Sequence, residues 1–178
     1  ETAHPFLDGN GRLGRLLITL MLINDGVLHS CLFYPSFQFK KNRSEYYRQL
    51  TSVRERGTYE EWIEFFCNSL LESAKDSVGS LKNLVDLHNR STATITENLG
   101  RTAANGQRLL SILEEHPIVD TAFIAAQLDI GRSTASSLVK SFEELGILRP
   151  LDESRQRYRQ YGYEEYLSIL REDAEPIR

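Results

Sequence analysis

The 178-residue sequence predicts a mainly α-helical protein of one or two domains. Two observations carry that expectation. Apolar residues recur three and four apart over most of the chain, the spacing that gathers them on one helix face. The strict alternation of half-buried strands is confined to a short stretch near the C-terminus. The hydrophobic and charged fractions, 40% and 26%, are those of an ordinary folded protein and exclude a disordered or fibrous one.

The elements follow in order. From Arg12 to Asn24, the residues Leu13, Leu16, Leu17, Leu20, Met21 and Ile23 predict a helix with a broad buried face. Asn24-Asp25-Gly26 predicts its end, with Gly26 open to a left-handed cap. "YPSFQF" reads as an extended connection, and "KNRSEYYRQLTSVRER" as a second helix closed by Gly57. Thr58-x-x-Glu61 has the form of a capping box, leading into the amphipathic "EWIEFFCNSLLESA" with Trp62, Phe65, Phe66 and Leu70. Residues 80–100 keep a looser helical period through Leu81, Leu84, Val85 and His88 and read as a long connecting helix or pair of helices. In "RTAANG", 101–106, the period lapses and small residues gather, which makes it the best boundary.

Beyond it the pattern changes. "QRLLSILEEH" is a helix stopped by Pro117, and "DTAFIAAQLDI" is a short second one. The turn "IGRS" leads into "STASSLVKSFEELG", where Leu138, Val139, Phe142 and Leu145 share a face. "GILRPL" and "RQRYRQYGY" alternate like two strands around "DESRQ", and "EEYLSILRED" is a last helix. Helix, helix, turn, helix and a two-stranded hairpin is the order of a winged helix-turn-helix.

Charge and cysteine usage narrow the function classes. A net charge of −4 predicts no strong general affinity for nucleic acid or anionic membranes. Cys31 and Cys67 lack CxxC spacing or a nearby histidine pair, so they read as reduced thiols in or near the core of a cytoplasmic protein. The longest apolar run, "LLITLMLI", falls far short of the roughly 20 residues that span a bilayer. The sequence opens "ETAHPF" with its single methionine at Met21, and is expected to be part of a longer protein.

The densest chemistry lies at the start, in "HPFLDGNGRLGR", His4 to Arg15. Gly9 and Gly11 let backbone N–H groups approach a ligand, and the following helix start adds unpaired donors and partial positive charge. Arg12 and Arg15 can grip neighbouring phosphates, and Asn10 can donate to a phosphate oxygen. Asp8 is a hard oxygen ligand suited to Mg²⁺ beside an anion. His4 can act as a general base near neutral pH once a hydroxyl is in reach. Base, metal ligand, anion cradle and charge clamps together describe phosphoryl or nucleotidyl transfer. A tight turn with a capping histidine and solvated arginines would explain each residue singly, but leaves their conjunction to chance.

This run resembles the Fic-domain motif HPFx[DE]GNGRxxR at every specified position. "KNRSEYYRQLTSVRERGTYEEWIEFF" is similar to the helices that follow the motif in Fic proteins, and the last third to the winged helix of one branch of them. The resemblance implies a protein adenylyltransferase that moves AMP from ATP, with Mg²⁺, onto a Ser, Thr or Tyr hydroxyl of a target protein and releases pyrophosphate. It implies that His4 deprotonates the hydroxyl and that Asp8 holds Mg²⁺. Gly9, Asn10 and Gly11 would form the α-phosphate hole, and Arg12 and Arg15 would hold the β- and γ-phosphates. Tyr46 would stand at the nucleotide. Doc-type relatives that phosphorylate their targets carry a lysine near Gly11, which this sequence lacks. Neither the family's upstream β-hairpin flap nor its upstream helices are visible, so the chain is expected to hold the motif but not a complete active site.

The expected organisation is the C-terminal part of a Fic domain over 1–76, connecting helix over 77–104 and a winged helix-turn-helix over 105–178. In the last module, Ser133 and Lys140 on the second helix and Arg155, Arg157 and Arg159 in the hairpin are the candidates for DNA or partner contacts. Residues 101–178 carry ten basic against thirteen acidic side chains, a net of −3, so counterion-release binding has little to work with. A role in homodimerisation or target positioning is the expectation, and a DNA-binding regulator with a non-catalytic Fic remnant is the alternative.

Overall fold

The computed structural model describes residues 5–28, 35–152 and 159–172. His4, Cys31, Arg155 and Arg157 therefore lie outside the described residues. The chain divides into two compact units, the first holding the described residues up to Ser80 and the second Leu81–Glu172.

The first unit begins with α1 (Asn10–Asn24), α2 (Pro35–Lys41), α3 (Arg43–Arg56) and the N-terminal half of α4 (Tyr59–Asn98). Its core is aromatic. Phe39, almost fully buried, lies 5.2 Å from the Tyr46 ring and 5.8 Å from Phe66, while Trp62 lies 5.7 Å from Tyr46 and 6.0 Å from Phe65. Ring pairs at such separations add about 0.5–1.5 kcal/mol each beyond the area they bury. Gln38, buried beside them, donates its amide to the Asp76 carboxylate of α4, so the polar group is not stranded.

Several local expectations change here, and one holds. "YPSFQF" is not an extended connection: Pro35 opens helix α2, its fixed φ suiting the first helical position, and Phe39 anchors that helix in the core. Gly57 does close α3 in the left-handed conformation, at φ 70°. Thr58 precedes α4, yet its hydroxyl bonds the Ser52 hydroxyl at 2.6 Å, tying α3 to the start of α4 rather than serving as one half of a capping box. The largest correction concerns α1. None of its residues is buried, and Leu13, Leu16, Leu17, Leu20 and Met21 are each 45–55% exposed. Periodicity marks a face as apolar; burial needs a partner, and among the described residues α1 meets α2 alone through more than a few contacts. Cys67 is also exposed, not in a core.

The second unit contains the rest of α4, which runs unbroken through Gly79 to Asn98 rather than as separate helices. A 3₁₀ turn at Gly100–Thr102 ends it where the period lapses. Then follow α5 (Ala103–Glu115), β1 (Ile118–Asp120), α6 (Thr121–Leu128), α7 (Arg132–Glu144), β2 (Arg149–Pro150), β3 (Gln160–Gly162) and α8 (Glu164–Glu172). The three strands form an antiparallel sheet in the order β1-β3-β2, with Ile118 opposite Gly162 and Pro150 opposite Tyr161. Pro150 sits on the edge strand, where its missing N–H costs no ladder bond. Three residues are too few for alternation to reveal β1 in the sequence.

The second core joins Leu87 and Ile95 of α4 to Leu109, Leu110 and Leu113 of α5, Ile124 and Leu128 of α6, and Leu138, Val139 and Phe142 of α7. Asp120 caps α6, accepting from the Phe123 N–H at 2.7 Å, and Asp129 takes a left-handed φ of 55° in the turn to α7. Tyr163 is buried, with its hydroxyl 2.8 Å from that of Ser91 on α4.

Candidate nucleotide site

The loop before α1 is held by its own side chains. The Asn10 amide donates to the Phe6 carbonyl at 2.6 Å, and its oxygen accepts from the Phe6 N–H at 3.0 Å. Asp8 accepts from the Gly9 N–H at 2.6 Å, and Gly9 turns the chain at φ 80°, a conformation that costs glycine nothing. The first N–H to close a helical bond is that of Leu13, to the Gly9 carbonyl. The amides of Asn10, Gly11 and Arg12 thus form the donor-rich start of a 15-residue helix. Asn10 is spent on shaping this loop, so anion donors here come from the backbone.

Asp8 and Arg12 are paired at 3.4 Å with side chains 92% and 78% exposed. So exposed a pair is worth about 0–1 kcal/mol, and both partners exchange readily for ligand groups. Among the described residues, no cluster of three or more His, Cys, Asp or Glu could hold a metal. The donor set fits Mg²⁺ in one way: Asp8 as the single protein carboxylate, with remaining oxygens from water and a bound phosphate.

Arg15 points elsewhere. It lines a cavity of about 110 Å³ together with Phe39, Lys40, Arg43, Tyr46 and Tyr47, so α1, α2 and α3 all contribute. Clefts that hold whole drug-sized ligands begin near ~300 Å³, so this one is too small for a whole nucleotide. Tyr46 lines the cavity but is 5% exposed, its ring locked among Phe39, Trp62 and Tyr47. Tyr47 is 50% exposed, and the Arg43 guanidinium sits 5.6 Å from its ring centre. Of the paired tyrosines, the second is the exposed one. Lys40, Arg43 and Tyr47 were not singled out by the sequence reading. The Arg43–Tyr47 spacing of one helical turn could have paired those two, but nothing in the spacing joins them to Lys40 or to a cavity.

Beside the cavity, Glu45 is held by Arg48 at 2.6 Å and by the Gln49 amide at 2.8 Å. The Arg48 bond, then that of Gln49, lowers its carboxyl to about 2.

In the second unit, Ser133 and Lys140 are exposed on α7, with Lys140 3.8 Å from Glu144. Arg149 is exposed on β2, and Arg159 is exposed just before β3. His88 bonds Glu114 at 2.7 Å, and His116 meets the Phe123 ring edge-on, so neither is a lone ligand.

Residues 1–22 match the Fic/DOC family. A relative, protein adenylyltransferase fic-1 from Caenorhabditis elegans, is 31% identical over 83 residues, 47% of this chain. The chain spans about 15% of the length of that relative. The match of residues 1–22 ends within α1, so it covers the loop before that helix, Asp8, Arg12 and Arg15 but not α2 or α3. No helix among the described residues is long and apolar enough to cross a membrane.

Proposed function

We propose that this chain carries the catalytic motif of a Fic-type protein adenylyltransferase that transfers AMP from ATP to a Ser, Thr or Tyr hydroxyl of a target protein. The observation that carries this reading is the complete motif from His4 to Arg15, with the amides of Asn10, Gly11 and Arg12 left without helical partners at the start of α1. In the proposed reaction His4 removes the proton of the target hydroxyl. The hydroxyl oxygen attacks the α-phosphorus, the bond to the β-phosphate oxygen breaks, and pyrophosphate leaves. The Asn10, Gly11 and Arg12 amides stabilise charge on the α-phosphate oxygens. Arg12 and Arg15 hold the outer phosphates, and Asp8 would hold Mg²⁺, which neutralises phosphate charge when bound. Tyr47, the exposed member of the pair, takes the place at the nucleotide first expected of Tyr46.

In the intact protein, His4→Ala should cut transfer of label from α-labelled ATP by about 10²–10⁴-fold while ATP still binds. Labelling that survives the change removes His4 from its role.

The helix and sheet order of residues 103–172, with α6 and α7 joined by the three-residue turn Asp129–Gly131, supports a winged helix-turn-helix. We assign it to dimerisation or target positioning. The DNA-binding alternative draws on the polar α7 face of Ser133, Ser136, Ser137 and Lys140. A gel shift at low salt that is lost on replacing Arg155, Arg157 and Arg159 would establish it; no shift is the expected result.

A further inference from the structure

We propose that Lys40 and Arg43 join Arg15 in a three-cation subsite that grips the terminal phosphates of a nucleoside triphosphate. The inference rests on the nucleotide reading above, but its residues come from α2 and α3, outside the matched motif. Three cationic side chains line one small cavity, and among the described residues no ion pair joins any of them to a carboxylate. The nearest acidic side chain along α3, Glu45, is already held by Arg48 and Gln49. Like charges collected without a counter-charge repel one another, and a multiply charged anion reverses the sign of that interaction.

The positions are built rather than incidental. Lys40 directly follows Phe39, the buried anchor of α2. Arg43 opens α3 and is steadied over the Tyr47 ring. Arg15 stands in the second turn of α1, past the free amides at Asn10 to Arg12. Arg12, by contrast, turns to Asp8. At this cavity, then, Arg15 needs Lys40 and Arg43 to make a site for more than one negative charge. A guanidinium fork and an ammonium suit phosphate oxygens, and the cavity volume suits phosphate groups rather than a whole nucleotide.

The test is calorimetric titration of the full chain with Mg²⁺ and ATP, AMP or inorganic tripolyphosphate, at low and raised salt. For Lys40→Ala/Arg43→Ala, affinity for ATP and for tripolyphosphate should fall about tenfold or more, with AMP changed less than twofold. The wild-type preference for ATP should shrink as salt rises. Far-UV circular dichroism confirms that the variant is folded, and Arg43→Lys should restore part of the loss. If ATP binds and the double variant binds it as well as wild type, the subsite is wrong and the nucleotide reading stands. If tripolyphosphate binding depends on Lys40 and Arg43 but ATP does not bind, the subsite stands and the nucleotide reading fails. If no ligand binds the wild type, both fail.

Discussion

Tyr163 shows how much one buried polar atom can set. Burial pushes its phenol up to about 12, against the smaller opposing effect of the Ser91 hydrogen bond. Its folded value lies above the ordinary value of 10.0, so both states are neutral at pH 7 and stability is flat there. As pH rises from 10.0 toward 12, the unfolded phenol ionises first and stability drains away. Denaturant midpoints should therefore fall across that window, and Tyr163→Phe should flatten the fall. The same change strands the Ser91 hydroxyl and should cost about 1–3 kcal/mol at neutral pH. A midpoint as steep above pH 10 in the variant as in the wild type would mean that another group drives the loss.

Among the elements, the packing of α5 on α4 depends on an absent side chain. A Cβ on Gly106 would lie 2.8 Å from Ile95 Cγ2 and 2.8 Å from Leu99 Cδ1, and both residues belong to the same packed unit. Gly106→Ala should destabilise Leu81–Glu172 by about 1–3 kcal/mol, the usual cost of overfilling a packed core, despite alanine's better helix propensity. Urea titration checks it: an unchanged or higher midpoint would show that the helices separate freely. This close approach was not legible in the sequence, where Gly106 merely joined the small residues of a boundary. By contrast α5 and α7 were legible because one face of each repeats a strong apolar period, and α3 and α6 because Gly57 and Asp120 mark an end. The short elements were not. Pro35 reads as a breaker unless its helix start is recognised, and β1 is three residues long.

At the scale of the molecule, the site divides the same way. The turn of the motif loop into a helix could be read directly, since Gly9 and the apolar period that follows mark a helix start. Lys40, Arg43 and Tyr47 reach the cavity only through the packing of α2 and α3, which local spacing does not encode. Likewise the leucines of α1 announced an apolar face, but nothing in their spacing says what covers it. The aromatic cluster has one further consequence. Its Trp62 is the only tryptophan in the chain and stands in the first unit, among rings that touch the cavity wall at Tyr46. The second unit's buried rings include Tyr161 and Tyr163 but no indole. Light absorbed at the red edge of the protein spectrum is therefore emitted from the first unit alone. The chain carries a built-in optical label there, one that reports on the aromatic core and leaves the sheet-bearing unit dark.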